Sequence, residues 1–157
     1  MSDKFLEELK WHLKHGLKGG DVHLDTNEVI ENLNFQIANK RIAPNSNTCW
    51  ELLFHMVFWH KAMIAILKDD ETTFNKFDKS DDMPKEPADE KLFEKYKLRF
   101  IHDLELIANM IDSINLTQPA KLWDNAINYK MFQIIIQHNS YHLAQIIQIQ
   151  KILDQKI

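Results

Sequence analysis

Apolar positions along the chain recur at helical spacing. Phe5, Leu6, Leu9, Leu13 and Leu17 share one face, which predicts a helix from about Asp3 to Leu17 that Gly19-Gly20 stops. Asp25 followed by Glu28 resembles a capping box and opens a shorter helix carrying Val29, Ile30, Leu33 and Ile37. Pro44 and the polar NSNT break the pattern. Thr48 with Glu51 forms a second box, T-x-x-E, at the head of a helix reaching about Lys68. Residues 69–88 are polar and acidic with two prolines, which predicts a long connection rather than an element. A helix from about Asp89 to Ile114 follows, with Phe93, Phe100, Leu104, Ile107, Ile111 and Ile114 on its buried stripe. After a loop around Pro119, a last helix spans roughly Tyr129 to Asp154.

Four long amphipathic helices joined by irregular loops predict an all-α chain, a four-helix bundle with a short extra helix and long loops, in one domain over residues 1–157. The last helix is apolar on two stripes: Met131, Ile135 and Ile149 on one, Phe132, Ile136, Leu143 and Ile147 on the other. One stripe faces the bundle, and the second predicts packing against another copy of the chain, a homodimer.

Composition narrows the class. Only three glycines and four prolines punctuate the chain, which disfavours a many-turned β architecture. The net charge is −4 and basic residues are scattered among acids, so no nucleic-acid partner is expected. Cys49 is the only cysteine, which excludes an intramolecular disulfide. With a charged N-terminal segment and no apolar run judged close to the ~20 residues of a bilayer span, the expectation is a cytoplasmic protein with no membrane partner.

The candidate chemistry lies in the histidines. QHNSYHLAQ sets His138 and His142 four apart on one face of the last helix. Gln145 lies on that face too, at about −20° from His138. Met131 and Ile135 share the stripe, so these polar groups point inward, where an unpartnered polar group costs roughly 1–3 kcal/mol. His55, on a face with Trp59, Ala62 and Ile66, points inward from the second long helix. Three histidines from two facing helices can converge on one ion, and three imidazoles plus water suit zinc, nickel or iron. The competing reading has each imidazole bonded to a neighbouring protein group. Of the other histidines, His60 falls about 140° around the helix from His55 and reads as a companion of Met56 and Met63. His102, His12 and His15 read as solvated. Cys49 reads as a buried structural cysteine, and Glu51 is explained by its box.

TCWELLFHMVFW and HNSYHLAQI together resemble the two histidine blocks of DinB-like proteins, the second block reading H-[DN]-x-Y-H-x-x-Q-I in that family. The HL of GGDVHL is similar to an upstream W-H in one branch. The resemblance covers most of the chain in order. It implies a four-helix bundle of the DinB-like type, commonly dimeric, with a metal on His55, His138 and His142. It also brings in the activities of that superfamily: DNA-damage-inducible proteins of unassigned activity, bacillithiol S-transferases and mycothiol-dependent maleylpyruvate isomerases. Three positions depart from the pattern. Ala144 replaces a glycine, Val22 replaces the upstream tryptophan, and Gln148 or Gln150 stands for a basic residue; the last two bear on substrate choice.

The helix reads H-N-x-x-H, without the glutamate that a zinc protease uses as base, which argues against peptide hydrolysis. A three-histidine divalent ion with an open position can acidify a water for hydrolysis, or take a low-molecular-weight thiol such as bacillithiol as thiolate for S-transfer to a small-molecule electrophile. Thiol transfer needs no protein base, which suits an apparent shortage of inward-facing carboxylates. A non-catalytic metal- or ligand-binding dimer is the remaining class. Trp59 and Gln145, each one turn beyond a histidine, and His23 from the loop before the short helix are expected to line the substrate pocket.

Overall fold

The computed structural model describes residues 3–20 and 23–154. It is mostly helical. α1 (Asp3–Lys18) carries Asp3 in its first turn and His15 and Lys18 in its last, each complementing the helix dipole. Gly19 ends it in a left-handed conformation, φ +80°, with its N–H on the His15 carbonyl at 2.8 Å. A Cβ there would lie 2.3 Å from the Leu24 carbonyl oxygen, so only glycine fits.

The short helix expected after Asp25 is two pieces, α2 (Thr26–Glu31) and α3 (Phe35–Ala38). The two asparagines between them cause the break. Asn32 ends α2, and the Asn34 side chain accepts from the Gln36 N–H at 2.8 Å, restarting the helix as a new cap. The buried Lys97 ammonium donates to the Glu31 and Leu33 carbonyls at 3.0 and 3.2 Å, satisfying groups the break leaves without helical partners. Asp25 caps the Glu28 N–H at 3.0 Å, so half of the expected box forms.

α4 (Cys49–Leu67) opens with the complete box: Glu51 N–H to Thr48 Oγ1 at 3.1 Å and Thr48 N–H to the Glu51 carboxylate at 2.8 Å. Residues 69–88 are not featureless, holding a single helical turn, α5 (Glu71–Phe74), and a 3-10 turn at Lys79–Asp81. α6 (Glu90–Ser113) is capped by Asp89 and buries Phe93, Phe100, Leu104, Ile107 and Ile111, the expected stripe except for Ile114, which caps the helix end half-buried. The following loop folds into a small hairpin, β1 (Pro119–Ala120) with β2 (Ala126–Ile127), whose turn holds Asp124 and Asn125 at positive φ. α7 (Asn128–Asp154) completes the chain.

α4 packs on α6 and α7, and α1 packs on α6 and α7. Two expectations change here. α4, 19 residues with mean hydropathy 1.2, is long and apolar enough to cross a membrane by length and composition, contrary to the reading that no run comes near that size. Its apolarity has a nearer cause, because 61% of that window is buried inside the protein. The second stripe of α7 is also largely covered within one chain. Phe132 and Leu143 are buried, and Ile136 lies where a Cβ on Gly16 of α1 would meet it at 3.3 Å. That stripe is therefore not a free face for a second copy.

Candidate metal centre

The capped start of α4 sets the helical phase that places His55 opposite α7, where His138 and His142 stand one turn apart. The three rings meet, with centroids 5.0 Å apart for His55–His138, 4.8 Å for His55–His142 and 4.5 Å for His138–His142. One ligating nitrogen from each lies within 4.8 Å of the others, close enough to hold a metal ion. His55 Nε2 and His138 Nε2 are 3.0 Å apart. That is the distance of an imidazole–imidazole hydrogen bond, and it lies near the roughly 3.3 Å that separates two nitrogens on one zinc, so an ion in place of the shared proton needs little movement.

The outer nitrogens show which lone pairs face the centre. His55 Nδ1 lies 3.2 Å from the Asp82 backbone carbonyl and 3.3 Å from its carboxylate, so it carries the proton and donates. His142 Nδ1 donates in the same way to Gln145 Oε1 at 2.8 Å. Both contacts fix the tautomer that leaves Nε2 as an inward acceptor, the arrangement in which a metal-ligating histidine is held from behind. His138 Nδ1 is buried without a partner. Burial, followed by the neighbouring His142, His55 and His60, pushes the His138 pKa down to about 3; burial also lowers that of His142, against the Gln145 bond. Both imidazoles are therefore neutral at pH 7 and have lone pairs to give.

Of the expected pocket residues, Trp59 stands beside the cluster, 6.3 Å from the His55 ring and 6.4 Å from His138, and Gln145 is bonded to it. His23 does not join them. Its nitrogens face the Leu24 and Gly16 carbonyls, and Gly16 packs on Ile136, about 200° around α7 from His138. Val22 lies outside the described residues. His102 is exposed, as expected.

Three polar contacts are not legible in the sequence. Asp82 arrives from residues 69–88, which the sequence marks only as a long connection. His60 is fully buried like Met56 and Met63, but its Nε2 donates to Asn139 Oδ1 on α7 at 3.0 Å. Asp103 is a fully buried carboxylate, bonded by Arg99 Nε at 2.7 Å and His102 Nδ1 at 3.1 Å. The expected shortage of inward carboxylates thus fails, yet Asp82 is engaged by His55, and Asp103 by Arg99 and His102.

Burial lowers the His60 pKa to about 4, against the Asn139 bond and the Asp103 charge. The unfolded chain binds this proton near pH 6.5 and the folded chain does not, so stability is complete above pH 6.5. It then falls with pH down to about 4, by roughly 3 kcal/mol. His60→Gln removes the titrating group, so urea midpoints should show the wild type losing more between pH 7 and pH 4 than the variant. Equal losses would contradict this origin.

Family models, curated proteins and solved structures were compared with the chain, and none matches.

Proposed function

We propose that the four long helices form a bundle of the DinB-like type and that the chain is a metal-dependent enzyme transferring a low-molecular-weight thiol to an electrophilic small molecule. One observation carries this reading: two of three inward-facing imidazoles are locked from behind, and the cluster holds no fourth histidine, cysteine or carboxylate among the described residues. A structural site is ordinarily closed by a fourth protein ligand, whereas a catalytic one keeps a position open. His55, His138 and His142 would hold the divalent ion, which supplies acidification of a thiol beside it, so no protein base is required. Asp82 and Gln145 hold two of the rings, and the Trp59 indole walls one side. Hydrolysis through a carboxylate base is the weaker alternative, since Asp82 is engaged by His55 and Asp103 by Arg99 and His102.

The assay uses zinc-, nickel- or iron-loaded protein with bacillithiol or glutathione and a haloalkane or epoxide. The expected outcome is a metal-dependent conjugation rate that His138→Ala abolishes. A wild-type rate no higher than that of the variant would remove the transferase reading and leave a hydrolase or a binding protein. The same reading includes a homodimer, which rests on the DinB-like resemblance now that the second α7 stripe is largely covered within one chain. Sedimentation at micromolar concentration should give twice the 18.6 kDa chain mass, and a monomer would contradict it.

A further inference from the structure

Behind His142, α7 and the turn at residues 42–47 flank an open groove of about 560 Å³ that the thiol chemistry does not use. Small-molecule sites occupy roughly 300–1,000 Å³, so its size suits a metabolite. It borders the cluster through two residues: Gln145, whose oxygen holds His142, and Tyr141, whose ring meets the His142 ring edge-on at 5.0 Å.

The turn that forms the opposite wall is braced from within. Pro44 occupies its second position, the Ser46 N–H donates to the Ala43 carbonyl at 3.0 Å, and the Ser46 hydroxyl donates to the same carbonyl at 2.9 Å. The Ala43 N–H donates back to Ser46 Oγ at 3.0 Å, and Arg41 bonds the Ser46 carbonyl. With the turn's own groups satisfied, the side-chain amides of Asn45 and Asn47 line the groove without a hydrogen bond to any described residue. The amide of Gln148 on α7 does the same. Each amide offers two donors and an acceptor oxygen. No charged side chain lines the groove, and Tyr141 and Ile149 provide apolar surface.

Such a wall matches a molecule with many hydroxyl or amide groups, because the side-chain amides offer donors and acceptors together, and it gives a carboxylate or ammonium no counter-ion. We propose that this groove binds a neutral polyhydroxyl molecule of the sugar class. Asn45, Asn47 and Gln148 bond its hydroxyls, and the Tyr141 ring covers its C–H face. The site needs no metal, so it stands or falls separately from the thiol reading.

The test follows the side-chain amide signals of the full chain by ¹H–¹⁵N NMR, with and without zinc. Glucose, N-acetylglucosamine and inositol serve as neutral probes, with glucuronate and glucosamine as charged counterparts. Saturable shifts of the Asn45, Asn47 and Gln148 amides are expected with at least one neutral probe, and the charged sugars should bind about tenfold more weakly. Ala144 lines the groove and is exposed, so Ala144→Trp fills the space without disturbing the core, and it should remove the shifts while the rest of the spectrum stays native. No shift with any neutral probe, charged sugars binding as tightly as neutral ones, or undiminished binding by a folded Ala144→Trp variant would each overturn the proposal.

Discussion

Phe100→Ala is expected to destabilise the protein by about 3–5 kcal/mol, the range for truncating a buried aromatic side chain. The ring is wholly buried on α6, with the His60 ring of α4 at 4.6 Å, so its removal opens a cavity at the contact between those helices. Domains of this size lose roughly 2–4 °C in melting temperature per kcal/mol, so the midpoint should fall by about 10 °C. Leu98 on the same helix is 69% exposed, and Leu98→Ala should change stability by no more than about 0.5 kcal/mol. The vacated space should also admit water to His60, whose lowered pKa rests first on burial. The variant should therefore lose less stability between pH 7 and pH 4 than the wild type does. Comparable melting temperatures for Phe100→Ala and Leu98→Ala would contradict this account of the core.

What could be read from sequence follows how local each cause is. The long helices were legible because apolar period and caps act within a few residues; Thr48 and Glu51 mark the start of α4 as firmly in the fold as on the page. The convergence of His55, His138 and His142 was legible for a related reason, since 100° per residue fixes which way each ring leaves its own helix. What that angle cannot give is the register between helices. His60 was seen as part of a methionine stripe because its partner, Asn139, lies 79 residues away on α7. Asp82 is not legible because the path of an irregular connection decides where its carboxylate lands, and the same holds for the position of the His23 ring. The second stripe of α7 showed that a face had to be covered, without showing that α1 and α2 of the same chain help to cover it. The break between α2 and α3 is written in Asn32 and Asn34, but the apolar spacing runs across it and hides it.

Loss of bound metal on removing any one of three imidazoles is the other large effect expected. His55, His138 and His142 supply all the histidine, cysteine and carboxylate donors of the cluster among the described residues, so each alanine variant leaves only two. His138→Ala also removes the Nε2 that lies 3.0 Å from that of His55. Gln145→Leu, which only frees the back of His142, should weaken binding by roughly 10–100-fold rather than abolish it. The most direct test is elemental analysis of wild type and the three single alanine variants, purified without chelator or metal-affinity resin and incubated with zinc, nickel or iron. One divalent ion per wild-type chain and almost none in each folded variant is the expected result. Full occupancy in all three variants, or no ion in the wild type, would contradict a metal centre on these histidines.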